Sequence, residues 1–143
     1  VFGGRVPLEL RTLPFPISEV GNIGGPHAMA QFLNAADAAI VPSRVENLAQ
    51  TATEAIACGC PVLGFDIGGM RDAVKHGLTG LLARPFSAAE LATHIAALAD
   101  SPDREAYRVA CAQFANECWE SVRVGRQHVR FFREFAERSA LPR

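Results

Sequence analysis

Long apolar runs, an excess of either charge, and lysine are what this sequence lacks. No stretch approaches the roughly 18 consecutive apolar residues of a membrane-spanning helix. Fourteen basic residues stand against fifteen acidic ones, a net charge of -1, which argues against the basic footprint of a nucleic-acid or membrane-surface binder. Thirteen of the basic residues are Arg, and Lys75 is the one Lys. There is no G-x-S-x-G, no Walker-type loop, no H-E-x-x-H and no D-x-D-like metal motif. No G-x-G-x-x-G opens a helix after a strand, which counts against a nicotinamide-dependent oxidoreductase. The opening VFGGRVPLEL has no initiator Met and lacks the plan of a secretory leader, so it reads as a start inside a longer polypeptide.

The four cysteines are wrongly spaced for zinc. Cys58 and Cys60 flank Gly59, Cys111 and Cys118 lie two helical turns apart, and no His is three to five residues from another His. Reduced, buried thiols in a cytoplasmic setting are the expectation. The four His have structural readings: His27 near a helix start, His76 at a helix C-terminus where a cation is favoured, and His94 and His128 on amphipathic helices.

What remains is an ordinary globular composition, 49% hydrophobic and 20% charged over 143 residues, the size of one domain. Short apolar runs alternate with helical patterns, the signature of βα units around a parallel sheet. Strands are expected at Val1–Phe2 (stopped by Gly3–Gly4), Phe15–Val20, Ala38–Val41, Pro61–Ile67 and Thr79–Ala83. The Ala38–Val41 run looks buried on both faces. Helices are expected from Pro26 to about Asn34, from about Ala49 to Gly59, and over roughly Met70–His76. Ser87 and Glu90 form a capping box for a helix whose apolar face is Leu91, Ile95 and Leu98. Another helix opens at Ser101–Pro102 with the stripe Tyr107, Cys111, Phe114 and Cys118. A last one runs from about Ser121 to Ala140, with Val124, His128, Phe131, Phe132 and Phe135 on one side. The fold class is therefore α/β with extra C-terminal helices.

In open parallel sheets ligands bind beyond the carboxyl ends of the strands. Two such ends are legible, Pro42–Glu46 and Asp66–Gly69. Glu46 lies in the loop after a buried strand, and Glu54 eight residues later within the next helix. Between them a helix start near Leu48–Thr51 offers free N–H groups and the positive end of a dipole, which suit phosphate. Glu54, embedded in ATEAIA, reads as incompletely solvated, and a carboxylate there can clamp a vicinal diol. The same pairing also describes two solvated surface glutamates, and Gly68–Gly69 reads most simply as a turn.

The run from Ala35 to Pro85 narrows this choice. Ala36–Asp37, Pro42–Ser43, Glu46, Glu54–Ala55, Gly59, Pro61–Val62, Gly68–Gly69, Val74, Gly77, Thr79–Gly80 and Leu82 resemble the donor-binding domain of family 4 retaining glycosyltransferases. The resemblance implies a Rossmann-like parallel sheet flanked by helices, the C-terminal half of a GT-B fold. It implies that Glu46 is the catalytic acid facing the donor sugar and that Glu54 holds the ribose hydroxyls. Asn47, Leu48, Ala49 and Gln50 match the loop whose amides contact sugar and diphosphate, and Gly21 and Ile23 the turn against the nucleobase.

Two departures carry information. Where many members have E-G-F-G, this chain has Glu46-Asn47-Leu48-Ala49, a loop similar to those of bacterial exopolysaccharide and lipopolysaccharide transferases. The family's G-R…K-G segment, whose Arg and Lys neutralise the diphosphate, has no match before the aligned region, and Arg5 does not supply it. Residues 1–143 therefore read as one nucleotide-sugar-binding domain without its first βα unit and without the acceptor domain. The expected reaction is metal-independent hexosyl transfer from a nucleoside diphosphate sugar to a glycan or lipid-linked acceptor. It uses no cofactor and no nucleic acid, and the full-length enzyme is expected in the cytoplasm, at most peripheral to the membrane. The alternatives are a noncatalytic nucleotide- or protein-binding module and a sugar-nucleotide 2-epimerase relative.

Overall fold

Three apolar runs become one parallel sheet in the computed structural model, which describes residues 7–139. The strands β1 (Ala39–Val41), β2 (Val62–Phe65) and β3 (Gly80–Ala83) stand in the order β1-β2-β3. Ala39 pairs with Val62, and Val62 with Gly80, so the three carboxyl ends lie level at one edge. Parallel neighbours need crossovers. These are α2 (Gln50–Ala57) and the short α3 (Met70–Ala73); α1 (Gly25–Ala35) precedes the sheet, and α4 (Ala88–Ala99), α5 (Arg104–Trp119) and α6 (Ser121–Ser139) follow it. The expected α/β class and Rossmann-like layering are those found.

Strand alternation divides the core. Val62 and Leu82 join α1, α2, α3 and α5 on one face, through Leu33, Ala52, Ile56, Met70 and Cys111. Leu63, Phe65 and Ala83 pack with Leu91 and Leu98 of α4 on the other. Arg108 of α5 reaches across to the end of α1, where its guanidinium donates to the carbonyls of Asn34 and Ala36, each at 3.1 Å. Cys60 and Cys111 are buried as free thiols, which pushes them up to about 11 and about 12. Cys58 is only half-buried and Cys118 is exposed, so the expectation of buried thiols holds for two of the four. Ala115, not Cys118, continues the buried stripe of α5.

Several boundaries differ from expectation, each for a local reason. Val1–Phe2 lies outside the described residues. Phe15–Val20 forms no strand beyond a single bridge at Glu19, because Pro14 and Pro16 remove donors and fix the backbone. β1 is an edge strand of the described sheet, and Ile40 is 51% exposed, so the run is not buried on both faces. α3 stops at Ala73 because Val74 turns extended and Thr79 Oγ1 accepts the Lys75 N–H at 2.9 Å. His76 stands three residues beyond the end of α3 rather than at it, and its Nδ1 accepts the Leu82 N–H at 3.0 Å. Only half of the capping box forms. Ser87 Oγ accepts from Glu90 N–H, but the Glu90 carboxylate takes the Arg84 guanidinium.

None of the described helices is long and apolar enough to cross a membrane. Among the described residues α6 packs chiefly against α5 and buries no residue; Phe131, Phe132 and Phe135 are each 62% exposed. Its start is capped by Glu120, whose carboxylate accepts the N–H groups of Val122 and Arg123 at 2.9 and 2.7 Å.

Two outcomes are expected. Ile56 is fully buried between α2 and the sheet, and Ile56→Ala should cost about 2–5 kcal/mol in urea unfolding. The Val122 N–H, then that of Arg123, holds the Glu120 carboxyl below its usual range. A depressed carboxyl contributes stability above its unfolded pKa and loses it as pH falls through its folded one. Far-UV helicity should therefore decline between about pH 5 and pH 3 more in the wild type than in Glu120→Gln.

Candidate functional site

The level carboxyl ends of β1, β2 and β3 bring three loops to one edge of the sheet: Pro42–Ala49, Asp66–Gly69 and Arg84–Ser87. The first two are in backbone contact. A Cβ on Gly68 would lie 1.9 Å from the Glu46 carbonyl oxygen, and one on Gly69 would lie 1.8 Å from that of Asn47. Gly68 has φ 42°, a conformation other residues avoid, and the Gly69 N–H points at the Glu46 carbonyl at 3.4 Å. The Gly68–Gly69 pair is thus more than a turn. It is the surface on which the Glu46–Leu48 backbone rests.

That contact sets up the start of α2. Ala49, buried at 2% exposure, is its N-cap and gives no side-chain cap. The first backbone bonds run from Ala52 and Thr53 to the Ala49 carbonyl, at 3.0 and 3.1 Å. The N–H groups of Gln50 and Thr51 have no partner among the described residues, as helix geometry requires without a cap. Alanine is among the poorest N-cap residues, so these donors and the positive end of the helix are left for something outside the helix.

Glu46 is half-buried beside this start, while Asn47, Leu48 and Gln50 are exposed. Glu54 is exposed as well, contrary to the reading of a partly desolvated carboxylate. Ala52, Ala55 and Ile56 form the buried face of α2, and position 54 falls outside it. Glu46–Gln50 and Glu54 are thus brought together on the first two turns of one helix and the loop before it. Gly21, with φ 77°, and Ile23 are half-buried in the irregular segment before α1. No hydrogen bond links them to Glu46–Gln50 among the described residues.

Two nearby cations are already paired. Arg71 pairs with Asp66 through two hydrogen bonds, which hold the Asp66 carboxyl below its usual range. Arg84 pairs with Glu90. His94 Nε2 is buried without a hydrogen-bond partner and lies 3.8 Å from Glu90; its ring meets His76 edge to face at 5.7 Å. Among the described residues no three His, Cys, Asp or Glu side chains form a group fit to hold a metal. The cradle role of Gly68–Gly69 was the feature missed from sequence, and its signal was two consecutive glycines directly after a buried strand.

This contact makes Gly69→Ala costly, by about 2–4 kcal/mol in urea unfolding, because backbone must move. Gly125→Ala in α6, where a Cβ meets nothing within 4 Å, should instead leave stability unchanged or raise it.

Comparison with known proteins places the chain in a family. Residues 19–116 match the family model described as "Glycosyl transferases group 1". The chain is 41% identical over 76 residues to the D-inositol 3-phosphate glycosyltransferase of Thermobispora bispora, covering 53% of this chain and 18% of that protein. It is 43% identical over 79 residues to the enzyme of the same name from Nocardia farcinica, again 18% of that protein and 55% of this chain. To the glycogen synthase of Mycobacterium tuberculosis it is 32% identical over 127 residues, 87% of this chain and 30% of the relative. The chain thus spans less than a third of the length of these curated relatives. With more than half of its residues inside the family match, and with that match spanning the cradle and the open helix start, the chain belongs to the group 1 glycosyl transferases.

Proposed function

We propose that this chain is the nucleotide-sugar donor-binding part of a retaining glycosyltransferase. The observation that carries the reading is the uncapped start of α2, set directly behind Glu46 by the Gly68–Gly69 cradle. The N–H groups of Asn47–Thr51 take the diphosphate of the donor. Glu46 faces the donor sugar, Glu54 clamps the ribose hydroxyls with its two oxygens, and Gly21 and Ile23 lie against the base.

Transfer moves a hexosyl group from a nucleoside diphosphate to an acceptor hydroxyl with the anomeric configuration kept. Negative charge grows on the departing diphosphate as the glycosidic bond breaks. Fixed N–H dipoles at a helix start stabilise such charge without reorganising. No side-chain nucleophile is assigned, and the reaction proceeds without a metal. The acceptor is a glycan or a lipid-linked sugar, and the Glu46-Asn47-Leu48-Ala49 loop favours the bacterial exopolysaccharide and lipopolysaccharide classes. Acceptor binding belongs to a second domain of a cytoplasmic enzyme, peripheral to the membrane at most, and the exposed Phe face of α6 is the seat for that domain. Alone, this chain binds donor without turning it over.

Calorimetry of this chain with uridine, guanosine and adenosine diphosphates and their hexosyl derivatives tests the reading. One of these ligands should bind, and Glu54→Ala should weaken it about 10- to 100-fold, the worth of two charge-assisted hydrogen bonds. Equal affinity in the variant removes the ribose-clamp role from Glu54.

A further inference from the structure

Phe86 is the one non-glycine residue among the described residues with a left-handed backbone, at φ 62°. Bulky side chains rarely adopt that conformation, which glycine takes freely, so the surroundings must enforce it. The turn closed from Ser87 N–H to the Arg84 carbonyl sets it. The ring is about half exposed and makes two contacts. The ring meets Phe65, the last residue of β2, edge to face, with centroids 6.0 Å apart and planes at 66°. The guanidinium carbon of Arg44 lies 5.1 Å from the ring centroid, within the range of a cation–π contact.

The two partners come from different loops. Arg44 stands two residues before Glu46 in the loop after β1, whereas Phe86 belongs to the loop after β3. β2 separates those strands, and two strand spacings are about 9.6 Å. Arg44 therefore reaches across the end of β2, over Phe65.

The loop after β1 has few other anchors. The N–H groups of Arg44–Gln50 donate to no carbonyl among the described residues. Val45 at its tip is 89% exposed. The nearest neighbours of the Gly68–Gly69 cradle are Glu46, Asn47 and Leu48, in the second half of the loop, whereas Arg44 stands in the first. Unlike Arg71 and Arg84, Arg44 makes no ion pair among the described residues, and the Phe86 ring is its recorded contact.

We propose that Phe86 is a positioning residue. Through Arg44 it holds the Pro42–Glu46 loop across the end of β2 and so fixes where the Glu46 carboxylate stands. The consequence for chemistry rests on Glu46 facing the donor sugar; the bridge itself does not.

Nitrogen-15 relaxation of this chain tests the bridge without any ligand. Order parameters of the Arg44, Val45 and Glu46 amides should be near about 0.85 in the wild type and below about 0.6 in Phe86→Gly. Glycine suits the left-handed turn, so that variant keeps the fold. Phe86→Tyr retains the ring and should keep the wild-type values. Arg44→Gln, a change of an exposed side chain, should loosen the loop as Phe86→Gly does, and the double variant should add nothing. The Arg44 Nε–H resonance should be shifted by the aromatic ring in the wild type and lose that shift in Phe86→Gly. Wild-type order parameters in both Phe86→Gly and Arg44→Gln overturn the proposal. A loop that loosens as expected in a chain that binds no donor contradicts the role of Glu46 and leaves the bridge intact.

Discussion

The carbonyl oxygens of Glu46 and Asn47 occupy the space where residues 68 and 69 would carry their Cβ atoms. Only glycine at both positions lets the turn after β2 press its backbone against the loop after β1. The parallel register makes the contact possible, because it brings the ends of the two strands level. Gly80 repeats the device between strands: a Cβ there would lie 1.9 Å from the Val62 carbonyl oxygen, and β3 could not approach β2. From these approaches follow the path of Glu46–Leu48, the burial of Ala49 and the direction in which α2 sets out.

The electrostatics of the edge follow from the same geometry. A chain of net charge -1 needs positive potential from somewhere if it holds the proposed diphosphate. The arginines Arg71 and Arg84 are spoken for by Asp66 and Glu90. What remains beside Glu46 is the Arg44 guanidinium, set against the Phe86 ring, and the helix start, whose partial charge is about half an elementary charge. Such a source is fixed in direction and needs no side chain to be ordered. It suits a step in which charge appears on a leaving group and must be met where it appears.

Much of this was legible in the residues. The βα alternation from Pro26 to Leu98 appears as read, with ends shifted by one to three residues, because apolar periodicity and glycine stops are local signals. The pair Glu46 and Glu54 and the helix start between them were legible as a loop following a buried run. What was not legible depends on tertiary approach. Gly68–Gly69 carries the same letters whether it makes a free turn or a cradle. Glu54 sits among alanines, yet small neighbours in sequence do not make a buried face when the helix turns them elsewhere. His76 lies after a short helix, but its ring turns to β3 because Leu82 offers an N–H there. Phe86 gives no sign in sequence of a left-handed backbone; the turn closed from Ser87 N–H to the Arg84 carbonyl sets it, and the ring's contacts with Phe65 and Arg44 depend on tertiary approach.

The loop before α2 and the cradle beneath it are proposed to form one ligand-binding unit. Its most direct test is a nitrogen-15 correlation titration of this chain with nucleoside diphosphates. The amides of Asn47–Thr51 and of Gly68–Gly69 should move together, with one dissociation constant, while those of α5 and α6 stay in place. Saturable shifts confined to other elements, with Asn47–Thr51 unmoved, would contradict it.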